Sequence, residues 1–139
     1  MPDVAWTSRL AIVLREDLEP WQIANVTAFL AAGVAARHPA LTGEPYTDGD
    51  GNSYASLLVE PTFVYEADGT KLTTIAGRGR RREVDLAIYP EAIFATNNDA
   101  DNRATIADVP AEVIPLAGVA VYGEMREVDR VIKGAHRHR

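Results

Sequence analysis

Four short runs of branched apolar residues alternate along this chain with segments of helical periodicity, and that alternation constrains the fold more than any other feature. The runs are 9–14 (RLAIVL), 62–67 (TFVYEA), 84–89 (VDLAIY) and 115–122 (PLAGVAVY). The first is short and dense in Val, Ile and Leu, which suits a strand covered on both faces. After it, Pro20 stands at a favourable first helical position. Ile23, Val26, Leu30 and Val34 then recur at helical spacing until Pro39 ends the segment. Asp68 predicts the cap of a second helix reaching about Arg82, with Leu72, Ile75 and Ala76 on its inner face. Helical turns are expected at 91–96 and 99–109, and a closing helix over 126–135 turns Val128, Val131 and Ile132 inward. Strands alternating with helices predict an α/β chain with a largely parallel sheet and helices on both faces.

A chain of 139 residues fits one domain and buries enough apolar surface to fold without staples. Residues 1–8 and 136–139 are expected to fray. There is no cysteine, which excludes disulfides, thiolate metal sites and cysteine nucleophiles. No apolar run is long enough for a membrane span and the start lacks a signal-peptide pattern, so a cytoplasmic protein without membrane contact is expected.

The net charge of −6 argues against a general nucleic-acid binder, since phosphate repels such a surface. The cations are nevertheless clustered. Lys71, Arg78, Arg80, Arg81 and Arg82 form one group, and Arg126, Arg130, Lys133, Arg137 and Arg139 another. The Arg78–Arg82 group leaves a local contact with nucleic acid or another anion open, although cations at a helix end are favoured by the dipole anyway.

Residues 40–60 crowd Gly, Pro, Asp and Asn into a long loop. Within it Asp48, Asp50 and Asn52 imitate the start of a calcium loop. Ser53 stands where that loop needs Gly and Val59 where it needs Glu, so a tight turn is expected, with no metal and no calcium binding. His136 and His138 lie in the basic tail and read as neither ligands nor bases. No serine occupies a nucleophile elbow, no phosphate loop follows the glycines at 77 and 79, and no cofactor is expected.

The order of elements and several local motifs resemble the type II peptidyl-tRNA hydrolases. An apolar strand is followed by Arg15-Glu16-Asp17-Leu18 and an alanine-rich helix. A late strand and glycine turn lead into Glu127-Val-Asp-Arg-Val-Ile-Lys133-Gly134. The chain is still more similar to a domain-of-unknown-function family sharing that fold, through REDLEPWQ at 15–22, Asn25, GEPY at 43–46, the Asp50–Tyr54 segment and Phe-Ala-Thr at 94–96. The resemblance spans roughly residues 9–135. It implies a three-layer α/β/α fold around a mixed, mostly parallel four-stranded sheet, with the first three strands parallel and one strand reversed. The hydrolases carry an active-site lysine after Asp-Leu, where this chain has Gln22, and an Asp-Ala-Gly-x-Thr motif that is missing here. Gln carries no charge to a phosphate and transfers no proton, so peptidyl-tRNA cleavage is not expected.

Ligands of open α/β sheets sit beyond the carboxyl ends of the strands, where Arg15 and Asp17 stand. The expected pocket lies between the start of the first helix, the 43–54 loop and the segment 89–98. Its candidate contacts are Arg15, Asp17, Gln22, Asn25, Tyr46, Tyr54 and Tyr89; acid–base work would fall to Asp17 or Glu91. An ion pair for Arg15, a structural hydrogen bond for Asn25 and simple packing of the tyrosines are the plainer alternatives. The function expected is a binding module for a small polar or nucleotide-like ligand. A hydrolase of an unknown ester or amide, including a divergent peptidyl-tRNA hydrolase, is the alternative, and a homodimer remains open.

Overall fold

The computed structural model describes residues 6–139, so Met1 to Ala5 of the expected frayed start lie outside the described residues. Strand β1 (Ser8–Arg15) leads into helix α1 (Pro20–Arg37), and a two-stranded hairpin follows, β2 (Tyr46–Thr47) and β3 (Ser53–Tyr54). Next come β4 (Thr62–Ala67), α2 (Gly69–Arg81), β5 (Val84–Pro90) and, after the 3-10 turn Glu91–Ala95, the short helix α3 (Asp99–Ala104). Strand β6 (Leu116–Glu124), α4 (Met125–Val131) and β7 (His136–Arg137) close the chain.

The main sheet has the order β5-β6-β1-β4-β7. β1 occupies its centre, and Leu10 to Leu14 are buried because both neighbours and both faces are covered. Successive side chains alternate between faces. Leu10, Ile12 and Leu14 pack with Val26, Leu30 and Val34 of α1 on one side. Ala11 and Val13 pack on the other side with Leu72 and Ile75 of α2 and Val128 and Val131 of α4. Helices thus cover both faces, giving three layers. Gly118 and Ala120 of β6 and Ala87 of β5 make a low floor beneath α1. Small side chains there let the alanine-rich helix settle close to the sheet.

Two expectations about the sheet need correction. It has five strands rather than four, and three of its four pairings are antiparallel. β1, β4 and β5 do run in one direction and β6 is reversed. Because β6 lies between β1 and β5, it makes two antiparallel pairings at once, and only β1–β4 is parallel. The added strand is β7, in the tail expected to fray. Gly134 turns the chain back at φ +99°, a conformation suited to glycine. His136 and Arg137 then pair with Glu66 and Tyr65 of β4, and the His138 amide donates to the Val64 carbonyl at 2.9 Å. The Arg137 guanidinium lies 4.3 Å over the Phe63 ring. Cation–π contact and backbone pairing hold a segment whose composition alone reads as solvated.

Helix α3 ends at Ala104, short of the expected Val109, and α4 ends at Val131, short of Ala135. Asp68 caps α2 as expected, its carboxylate accepting from the Lys71 amide at 2.7 Å. Among the described residues no helix is long and apolar enough to cross a membrane.

Candidate functional site

Helix α1 sets the geometry. Residues four apart share a helical face, so Trp21, Asn25 and Phe29 stand in one row. They face the segment after β5, and together with it line a cavity of about 500 Å³. Tyr89, Ile93, Phe94, Thr96, Asn97, Asn98, Asp99 and Asn102 supply the rest of the wall. Trp21 meets Phe94 edge-on at 5.6 Å between ring centroids, Phe29 meets Tyr89 at 5.8 Å, and Tyr89 meets Phe94 at 5.1 Å. Trp21 and Phe29 are 61% and 54% exposed despite these contacts.

Asn25 sits at the centre of the row. Its Oδ1 accepts from the Tyr89 hydroxyl at 2.8 Å, and burial pushes the Tyr89 phenol above its ordinary value. Among the described residues Nδ2 of Asn25 has no acceptor, and the same holds for Nδ2 of Asn97 and Asn102. Three amide donors thus border the aromatic walls. Other polar groups are already spent. Asn98 caps α3, accepting from the Asp101 amide at 2.8 Å, while Asp99 pairs with Arg103 at 2.7 Å. Thr96 Oγ1 lies against the Ile93 carbonyl and Asn102 Oδ1. Among the described residues no Lys, Arg or His lines the cavity.

Asn25 and Tyr89 are the two candidate ligand residues that the fold brings to this cavity. Gln22 does not join them: its Oε1 accepts from the Glu19 amide at 2.9 Å and so completes a capping box at the start of α1. Arg15 bridges the end of β1 to the segment after β5, through Asp17 at 2.5 Å and Glu91 at 3.2 Å. Burial opposes its charge, yet these two carboxylates outweigh that effect and hold the guanidinium above its ordinary value. Arg15, Asp17 and Glu91 form a closed triad, and none of them lines the cavity.

Tyr46 and Tyr54 pair across the β2–β3 hairpin, exposed and outside the cavity. The side of the pocket assigned to the 43–54 loop is instead formed by the Asn97–Asn102 stretch. The acidic loop is a turn organised by Asp48. Its Oδ1 accepts from the amides of Asp50 and Asn52 at 2.9 and 3.0 Å, and its Oδ2 from Asn52 Nδ2 and the Tyr54 hydroxyl at 3.0 and 2.7 Å. The Asn52 side chain, Tyr54 and the Asn52 amide hold the Asp48 carboxyl down to about 2 from 3.8. Its folded value lies below the unfolded one, so the stabilisation is present above the ordinary carboxylate range and is lost as pH falls through about 2. The Asn52 amide and Tyr54 ring signals in NMR spectra are accordingly expected to keep their native positions at pH 4 and to be about half-way through their shift near pH 2. Loss of those positions already at pH 5 would contradict this account.

Trp21 and Phe29 flank Asn25 by one turn on each side, a spacing that signals a shared face. Asn97 and Asn98 fall within the expected segment 89–98, while Asp99 and Asn102 lie just beyond it.

The sequence model of the family described as "Protein of unknown function (DUF2000)" matches residues 8–139. A solved structure of a protein of unknown function from Agrobacterium tumefaciens strain C58 is similar to this chain at 36% identity, with a TM-score of 0.93. The likeness covers 97% of this chain and 100% of that one. A comparison with curated proteins returns no match.

Proposed function

For this chain, which belongs to the DUF2000 family, we propose that the cavity on α1 binds a small, uncharged, planar ligand rich in hydrogen-bond acceptors, as in a nucleoside or related heterocycle. One observation carries the reading: the acceptor-less amide donors of Asn25, Asn97 and Asn102 stand among four aromatic side chains. Aromatic walls take the faces of a flat ring, while amide donors take its carbonyl and ring-nitrogen edges. A cavity without a cation favours the neutral base and sugar over a phosphorylated form. The hydrolase alternative has no comparable support, because Asp17 and Glu91 are paired with Arg15 away from this wall. The direction of β1, β4, β5 and the reversed β6 supports a fold of the type II peptidyl-tRNA hydrolase kind beneath this site.

Titration with uncharged nucleosides and free bases, read by tryptophan fluorescence, tests the proposal. Saturable binding is expected for at least one of them, weakened about tenfold by Trp21→Ala, with no gain for its monophosphate. A tenfold shift corresponds to about 1.4 kcal/mol, within reach of one lost stacking contact. Absence of saturation at millimolar concentration, or tighter binding of the monophosphate, would overturn it.

A further inference from the structure

A second concavity lies between the ends of α2 and α4, two helices that cover the face of the sheet opposite α1. It measures about 590 Å³ and is lined by Arg78, Arg81, Arg82, Arg130 and Lys133. Among the described residues one carboxylate reaches these cations: Glu127 accepts from Arg82 at 3.1 Å and from Arg130 at 2.9 Å. Arg78 Nη1 donates to the carbonyls of Val131 and Lys133 at 3.3 and 2.7 Å. Arg81 and Lys133 have no carboxylate partner among the described residues.

Magnitudes decide whether helix ends explain this cluster. Each helix terminus is equivalent to roughly half a negative charge, so two of them account for about one cation. Five cations against Glu127 and the two helix ends leave about three uncompensated charges, in a chain whose net charge is −6. The glycines of α2 add a second observation. A glycine inside a helix costs roughly 0.5–1 kcal/mol relative to alanine. Gly79 is accounted for by Leu86, whose Cδ1 would lie 3.0 Å from an added Cβ. Gly77 meets no such packing neighbour. A Cβ there would lie 3.3 Å from Arg81 Nη1 and 3.6 Å from Arg80 Nη2. The missing side chain leaves room for these guanidinium groups to fold back along the helix.

We propose that this groove is a binding site for a small multivalent phosphate, a di- or triphosphate chain either free or carried on an organic group. Guanidinium forks match phosphate oxygens in pairs, and Lys133 adds a point charge. A di- or triphosphate carries about three to four negative charges near neutral pH, comparable to the uncompensated charge of the groove. The site is separate from the cavity on α1 and does not depend on what that cavity binds.

Isothermal titration of the full chain with inorganic triphosphate, at constant ionic strength, tests the assignment. Saturable one-to-one binding is expected, with orthophosphate at least tenfold weaker. The variant Arg81→Gln/Lys133→Gln, which removes the two cations lacking a carboxylate partner, is expected to lose at least tenfold in affinity while keeping its Tm. A nucleoside triphosphate that binds as tightly as the inorganic chain indicates a site reading phosphate alone, and tighter binding indicates an organic group; both support the site. Lack of saturation, or equal affinity in the variant, overturns it. So does an RNA oligonucleotide that binds with length-dependent affinity and displaces triphosphate, which would make the groove a nucleic-acid surface.

Discussion

Replacing Gly118 with valine is expected to lower the unfolding free energy by about 3 kcal/mol, at the upper end of the usual cost of overpacking a core. A Cβ at this position would lie 2.8 Å from Val26 Cγ1, 3.2 Å from Leu14 Cδ2 and 3.2 Å from the Val13 carbonyl oxygen. Val26 and Leu14 are fully buried, and the carbonyl belongs to the central strand, so none of the three has free space to retreat into. Relief must come from lifting α1 away from the sheet. That movement would carry Asn25, the neighbour of Val26, out of register with Tyr89, so the cavity should be lost with the stability. Gly33→Ala provides a control of opposite sign. Gly33 lies on α1 with nothing within 4 Å of an added Cβ, and alanine there should stabilise by roughly 0.5–1 kcal/mol. Urea denaturation of both variants reads the two signs together. A cost below about 1 kcal/mol for Gly118→Val would show that α1 is not seated tightly on β6.

The same contrast between dense packing and single polar contacts explains what the sequence made readable. β1 and β4 follow from runs of apolar and branched residues, and α2 from the Asp68 cap and its inner face. Each of these signals is local and repeated over several residues. β7 rests on two residues, a glycine turn and a cation over an aromatic ring contributed from far along the chain. No periodicity marks such a strand. The sheet departs from expectation for a related reason: alternation of elements accounts for the common direction of β1, β4 and β5 and the family resemblance for the reversed β6, but the insertion of β6 between β1 and β5 is a matter of long-range pairing. At the cavity, Asn25 was conspicuous as an amide on an apolar helix, and Trp21 and Phe29 share its face. Gln22 and Arg15 were equally polar and equally near the start of α1. Gln22 is taken up locally by Glu19, and Arg15 by Asp17 and by Glu91 across the fold; such bonds satisfy a side chain without leaving it free for a ligand. The expected segment 89–98 reaches the lip as far as Asn98; Asp99 and Asn102 lie beyond it, because their position depends on where the turn after β5 carries the chain.

Asn25 itself separates structure from binding. Asn25→Ala is expected to cost roughly 1–3 kcal/mol, because the Tyr89 hydroxyl, in a residue only 4% exposed, loses its one acceptor. Tyr89→Phe removes the other half of the same bond, and the amide oxygen left behind borders the cavity, where water can reach it. Its cost should therefore be smaller, about 1 kcal/mol. The double variant should lose less than the sum of the two, since the hydrogen bond can be removed only once; the coupling expected for residues in direct contact is about 0.5–3 kcal/mol. Ligand affinity should divide differently. Asn25→Ala deletes a donor as well as the bond that holds it, so binding of the nucleoside-type ligand should weaken about tenfold or more. Tyr89→Phe keeps the donor and the ring and loses only its positioning, so the loss should be less than half as large on a logarithmic scale. Urea denaturation and fluorescence titration on the same three variants give both quantities. If the two single variants lose affinity equally, Asn25 acts through Tyr89 alone and its amide does not touch the ligand. If Asn25→Ala leaves stability unchanged, the hydrogen bond to Tyr89 does not hold the site together, and the geometry of the cavity must be maintained by the aromatic contacts among Trp21, Phe29, Tyr89 and Phe94.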